Sequence, residues 1–198
     1  MFKVYFEVGL RHIADLAAYD HILFIVALCA VYKLSEWRKI LILVTAFTIG
    51  HSITLALSAL SIITINSAII EFLIPVTILL TALYNLVFIR ESKIIRVQSL
   101  SKAVSVKYFI ALFFGLIHGM GFSNYFKALL GAEANITFPL FAFNVGIEIG
   151  QLLIVAVMLS CSILMMSVFK LKQIYWNWAV SGVAGIVAIK MMVETWPW

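Results

Sequence analysis

Long apolar runs, broken at only a few polar positions, dominate the pattern of this chain. Six of these runs are long enough to form a helix of roughly 20 residues, the length that crosses about 30 Å of hydrocarbon. They cover residues 13–32, 40–60, 69–89, 106–126, 138–168 and 177–195. The pattern predicts an all-α, polytopic membrane protein, in which residues 1–198 form a single membrane domain built as a six-transmembrane-helix bundle.

Composition supports a membrane protein and excludes a soluble domain of ordinary type. The chain is 64% hydrophobic and 12% charged, with a mean hydropathy of +1.11. Soluble domains carry about 25% charged residues. The two cysteines, Cys29 and Cys161, lie inside apolar runs without CxxC spacing, so we interpret them as small core residues and not as ligands or a disulfide.

The basic residues are concentrated in the segments that follow the first, third and fifth runs. Ten of the 14 lie there: Lys33, Arg38, Lys39, Arg90, Lys93, Arg96, Lys102, Lys107, Lys170 and Lys172. The positive-inside rule makes these segments cytoplasmic and predicts that both termini lie outside, an N-out/C-out topology. The net charge of +5 therefore indicates membrane orientation, and no nucleic acid is expected as a partner.

Several ionisable residues lie at similar depths within the predicted helices. Each costs about 2.5–3.5 kcal/mol in hydrocarbon, so a functional use is expected for them. Counting inward at about 1.5 Å per residue places five of them in one layer near or just outside the midplane. They are Asp20, His21, His51, His118 and Glu148. Imidazole and carboxylate groups together suit a divalent transition metal, so we predict these five as its ligands.

Six further polar residues are expected to support the ligands or to line the path of the ion. They are His12, Asp15, Ser52, Glu71, Asn144 and Gln151. Asn144, Glu148 and Gln151 form one narrow stripe at 100° per residue, and Glu71 lies at the outer end of its run, as at an entrance. On a continuous helix His12 and His21 point in nearly opposite directions. They can therefore bind the same ion only if the helix breaks between them.

Five motifs occur in order along the chain, at the first, second, fourth and fifth runs. They are Gly9-x-Arg11-His12-Ile13, Tyr19-Asp20-His21-Ile22-Leu23-Phe24, Phe47-Thr48-x-x-His51-Ser52-x-Thr54-Leu55, Phe114-Gly115-Leu116-Ile117-His118-Gly119-x-Gly121-Phe122 and Phe143-Asn144-x-Gly146-x-Glu148-x-Gly150-Gln151. In these motifs the chain resembles the HupE/UreJ family, small bacterial membrane proteins regarded as nickel or cobalt permeases accessory to hydrogenase or urease. The resemblance implies a multi-pass protein of the bacterial inner membrane, and it carries the same five ligands over as metal-site residues.

Two functions remain open for such a site. The first is a permease or metal-binding protein for nickel, cobalt or zinc, with the metal ion and the lipid bilayer as its partners. The second is a zinc-dependent hydrolase or transferase that acts on a lipid-type substrate from the outer leaflet, with Glu148 or Asp20 as general base. A permease needs a polar path to the cytoplasm, whereas an enzyme needs a closed floor. A third interpretation is a structural or sensory subunit. Any homo-oligomer or partner subunit would then have to meet it within the membrane.

Overall fold

The computed structural model describes residues 1–16, 19–63, 66–88, 100–131 and 135–197. All regular secondary structure within these ranges is helical, which confirms the all-α prediction. The helices are α1 (Phe2–Ala14), α2 (Asp20–Cys29), α3 (Trp37–Ala59), α4 (Ser67–Phe88), α5 (Leu100–Leu130), α6 (Thr137–Ser167) and α7 (Gln173–Glu194), and a 3-10 turn (Leu34–Glu36) precedes α3.

Helices α3 to α7 are long and apolar enough to cross a membrane, by length and composition. Each of the predicted runs from 40–60 to 177–195 falls on one of these five helices, which supports a multi-pass membrane protein. Three of the basic residues assigned to the cytoplasmic side, Arg90, Lys93 and Arg96, lie outside the described residues.

The first predicted run, 13–32, differs from expectation because it is not one helix. Helix α1 ends at Ala14, the backbone of Asp15 is extended (φ −68°, ψ 118°), and α2 begins at Asp20. Aspartate is unfavourable inside a helix because its side chain competes for backbone hydrogen bonds. Asp20 instead lies in the first turn of α2, where the positive end of the helix dipole stabilises its negative charge. The two acids therefore account for a break at this position.

One end of the bundle collects positive charge. The Lys107 ammonium near the start of α5 lies 5.6 Å from the ring centroid of Tyr32, after α2, and 5.3 Å from that of Tyr84, near the end of α4. Gln173, at the start of α7, donates from Nε2 to the Ala30 carbonyl (3.2 Å). Segment 33–39 adds three further cations here. We call this end, where α2 and α4 finish and α3, α5 and α7 begin, the basic end.

At the opposite end, the end of α5 meets the beginning of α4 and the end of α3. Asn124 donates from Nδ2 to Ser67 Oγ (3.0 Å), and Lys127 donates from Nζ to Ser61 Oγ (2.6 Å). Helices α3, α5 and α7 thus run away from the basic end, and α4 runs towards it.

Helices α3 and α5 run parallel and pack with their backbones in contact. A Cβ atom at Gly50 would collide with the carbonyl of Leu112, and one at Gly115 would collide with the carbonyl of Phe47. Each glycine therefore faces the carbonyl three residues before the glycine of the partner helix. Small residues allow this approach, which supplies van der Waals contact within a membrane, where lipid is as apolar as leucine.

The same reciprocal contact joins α1 to α6. A Cβ at Gly9 would meet the Phe143 carbonyl, and one at Gly146 would meet the Phe6 carbonyl. This pair also runs parallel, but in the direction opposite to α3 and α5, because α6 returns from the far end of α5. Two equivalent helix pairs of opposite direction are typical of transporters that are built from inverted repeats.

Replacing Gly115 with valine is expected to destabilise the bundle, because the new side chain would occupy the position of a backbone carbonyl that cannot rotate away. Overpacking costs about 1–3 kcal/mol, so the thermal unfolding midpoint in detergent should fall by about 5 °C or more. The matched control is Gly182→Val on α7, where an added Cβ would meet no atom within 4 Å. Equal midpoints for the two variants would contradict this packing.

Candidate metal site

The break between α1 and α2 brings His12 and His21 together. His12 lies in the last turn of α1 and His21 is the second residue of α2, and their ring centroids are 4.5 Å apart. The condition set by the sequence, a helix broken between these two residues, is therefore met. Both rings can face one ion.

His51 of α3 completes a group of three. One ring nitrogen from each of His12, His21 and His51 lies within 4.8 Å of the other two. The His51 side chain is fully buried. Metal–nitrogen bonds of about 2.0–2.1 Å in a tetrahedral site separate ligand atoms by about 3.4 Å. If the three nitrogens moved roughly 1 Å closer to one another, their spacing would match that of the ligands in a tetrahedral metal site.

His118 of α5 stands beside this group, with its ring centroid 5.2 Å from that of His21. Its Nδ1 is 2.9 Å from the carbonyl oxygen of Phe114. A carbonyl can only accept, so Nδ1 carries the hydrogen and Nε2 keeps its lone pair. Together His12, His21, His51 and His118 form what we call the histidine cluster.

Asp20 fixes the ring of its neighbour His21. The Oδ1 atom of Asp20 is 3.0 Å from His21 Nδ1. The carboxylate accepts this hydrogen bond, which leaves Nε2 of His21 as the free basic nitrogen. A carboxylate that orients a histidine and raises its basicity is a recurrent support for metal ligands.

Five ring nitrogens of the cluster are buried and have no hydrogen-bond partner among the described residues. Among the described residues, no hydrogen bond is made by Nε2 of His12, His21, His51 or His118, or by Nδ1 of His51. A buried polar atom without a partner costs about 1–3 kcal/mol. A bound cation would relieve several such costs at once. The donor set therefore fits a transition metal.

A cavity of about 570 Å³ leads to the cluster from the end opposite the basic end. Three carboxylates line it, from Asp15, Asp20 and Glu71, together with the guanidinium of Arg11. His12, His21 and His118 form its inner wall. Such a carboxylate-lined cleft concentrates cations. Asp15 and Glu71, which were predicted to support the ligands or to line the path of the ion, both lie in its wall.

Two phenylalanine rings pack against the histidine cluster on the side that faces the basic end. The ring centroid of Phe24 is 5.1 Å from that of His118 and 4.9 Å from that of Phe47. The Phe47 centroid is 6.4 Å from that of His21. Both rings are buried. We call them the aromatic floor, since they lie between the histidines and the basic end.

Glu148, predicted as a ligand, does not belong to the group of three close nitrogens. Its Oε1 accepts a hydrogen bond from Thr45 Oγ1 (2.6 Å). Thr45 lies six residues before His51, about 9 Å nearer the basic end. One turn away, Thr48 Oγ1 donates to Gln151 Oε1 (2.7 Å). These four residues form a polar seam between α3 and α6.

The remaining predicted residues lie around this seam. Asn144 Oδ1 and Gln151 Nε2 are buried and have no hydrogen-bond partner within the described ranges. Ser52 donates from Oγ to the Thr48 carbonyl (2.6 Å), so it is engaged by its own helix.

The family model described as HupE / UreJ protein matches residues 1–198, the whole chain. The chain belongs to the HupE/UreJ family. This confirms the resemblance carried by the five motifs. No curated protein and no solved structure matches the chain.

In this HupE/UreJ protein, His12 belongs to the group of close ring nitrogens, whereas the sequence predicted only a supporting role for it. Helical periodicity directs it away from His21 as long as the first run is treated as one helix. The acids Asp15 and Asp20, which interrupt that run, are the feature from which the break could have been predicted.

Substituting His12 with phenylalanine should weaken metal binding strongly while the fold is retained. The His12 ring stacks on Phe122 at 3.8 Å between centroids, and phenylalanine preserves that packing without a ligand nitrogen. Asp20→Asn should cost about 10–100-fold in affinity, as is usual for a group that orients a ligand. Calorimetric titration with cobalt or nickel measures both effects. Asn144→Ala is the control and should bind more tightly than either. Unchanged affinity in His12→Phe would exclude His12 as a ligand.

Proposed function

We propose that this HupE/UreJ protein is a permease for a divalent transition metal of the nickel and cobalt class, with the histidine cluster as its transient binding site. The observation that supports this most directly is that four helices, α1, α2, α3 and α5, each contribute one histidine whose Nε2 atom is buried and has no hydrogen-bond partner among the described residues. The family's association with nickel and cobalt supports the same cargo.

The donor chemistry suits an ion that must be released. Imidazole nitrogen binds nickel, cobalt and zinc, and protons compete with the metal for it, so affinity should fall as the pH is lowered. His12, His21, His51 and His118 would hold the cargo, and Asp20 would hold the ring of His21. The thiols of Cys29 and Cys161 are free, and neither belongs to the group of close ligand atoms found among the described residues.

The path on either side of the cluster supports transport. On the outer side, the carboxylate-lined cavity and the C-terminal end of α1, which carries partial negative charge, both favour a cation. On the side of the basic end, the polar seam passes beside the aromatic floor. We assign Glu148, with Thr45, Thr48 and Gln151, as the next group of oxygen ligands that the ion would contact.

We further propose that the basic end faces the cytoplasm of a bacterium, with both termini on the periplasmic side of the inner membrane. Segment 33–39 and Lys107 lie at one end of the bundle, as the positive-inside rule requires. The acidic cavity would then open to the periplasm, and the protein would import its cargo.

The aromatic floor favours a second candidate, a zinc-dependent hydrolase or transferase. Three histidines and one water make a catalytic zinc site, and a closed floor suits catalysis better than passage. The polar seam favours the permease, because it offers an ion oxygen ligands beyond the floor.

Metal uptake by sealed vesicles distinguishes the permease from the enzyme. Purified protein in proteoliposomes should take up nickel or cobalt, and His51→Ala and His118→Ala should each abolish uptake. Ser35→Cys in a Cys161→Ser background, labelled with an impermeant thiol reagent, reports the orientation in the same vesicles, because Ser35 is exposed at the basic end. If the vesicles move no nickel, cobalt or zinc while the protein retains one tightly bound ion, the permease is contradicted and the enzyme supported.

A further inference from the structure

A second cavity lies near the basic end and is not part of the proposed metal path. Its volume of about 450 Å³ falls in the range of about 300–1,000 Å³ that is usual for small-molecule sites. Its depth is formed by the buried side chains of Leu43, Ala111 and Phe114, and its rim by the exposed side chains of Leu80, Val106 and Ile110. The cavity therefore opens sideways between α4 and α5, through the apolar surface that faces the bilayer.

The polar groups deep in this cavity are already engaged within the protein. Asn85 donates from Nδ2 to the Ala27 carbonyl (2.7 Å) and to Ser181 Oγ (3.2 Å). Thr81 donates from Oγ1 to the Thr77 carbonyl (2.9 Å). Apart from the hydroxyl of the buried Tyr32, the rest of the described deep wall is hydrocarbon. The part of an occupant that enters the cavity must accordingly be apolar.

Among the described residues that line the cavity, Lys107 carries the only charge. Its ammonium stands between the rings of Tyr32 and Tyr84 at 5.6 and 5.3 Å, and it forms no ion pair in the described part of the chain. Glu36, at the same end, forms an ion pair with Lys39 (2.6 Å). A lone cation at the mouth opposes the exit of a metal ion and attracts an anion.

Lys107 also stands at the depth of lipid headgroups. In the sequence it is the second residue of the apolar run 106–126, which follows a polar and basic stretch, so it lies close to the change from polar to apolar residues. A lysine at such a boundary extends its ammonium to the interface while its stem stays in the apolar layer.

We propose that this cavity binds one anionic phospholipid of the surrounding bilayer, with an acyl chain between α4 and α5 and the phosphate at Lys107. Each part of the proposed lipid corresponds to one observed feature of the cavity. The sideways opening admits a molecule from the bilayer, the hydrocarbon wall takes its chain, and Lys107 between two tyrosine rings takes its charge.

Native mass spectrometry of the full-length protein in detergent tests this assignment. Phosphatidylglycerol and phosphatidylcholine with identical acyl chains are added in equal amounts. The wild type should retain one lipid, with a preference of about fivefold for phosphatidylglycerol, the effect of one lysine near an anionic lipid. Lys107→Gln should remove the preference, and Lys107→Arg should keep it.

The matched control is Arg38→Gln. Arg38 is also a cation at the basic end that stacks on an aromatic ring, that of Trp37 at 5.4 Å, but it lines no part of this cavity. This variant should keep the preference. An undiminished preference in Lys107→Gln, or an equal loss in Arg38→Gln, would overturn the proposal. Displacement of the phospholipid by an equal amount of oleate would also overturn it, since the occupant would then be a free fatty acid.

Discussion

The interruption between α1 and α2 determines where the histidines of the proposed metal site meet in this bundle. A helix that ends in an apolar environment leaves up to four carbonyls without intrahelical partners, and hydrocarbon tolerates this only where the backbone is buried or lines an aqueous cavity. Asp15 and Asp20 border the break and also line the acidic cavity. The break, the cavity and the meeting of His12 with His21 are thus one feature of the fold.

The glycine contacts fix the other half of the site. His51 and His118 lie on α3 and α5, which Gly50 and Gly115 hold in backbone contact. His12 lies on α1, which is held in the same way to α6. Because His12 lies on one tightly packed pair, and His51 and His118 lie on the other pair of opposite direction, a rigid movement of one pair against the other would bring these histidines together or separate them. That is the mechanical requirement of the proposed carrier.

Long apolar runs were enough to predict five helices, and counting along them placed His21, His51 and His118 at one level. Those inferences use only helix rise and hydrocarbon thickness. Glu148 as a ligand stays a prediction: depth counting could not foresee its hydrogen bond to Thr45, which lies on another helix about 9 Å nearer the basic end than His51. His12 required knowledge of the break. The parallel pairing of α3 with α5 depends on contacts between segments that are distant in sequence.

The central claim is that His12, His21, His51 and His118 share one ion, and X-ray absorption spectroscopy of the zinc-loaded protein tests it most directly. The account predicts a first shell dominated by imidazole nitrogen at about 2.0–2.1 Å. It also predicts that His12→Phe and His118→Ala each reduce the imidazole contribution. A shell composed of oxygen alone, or a wild-type spectrum in both variants, would contradict it.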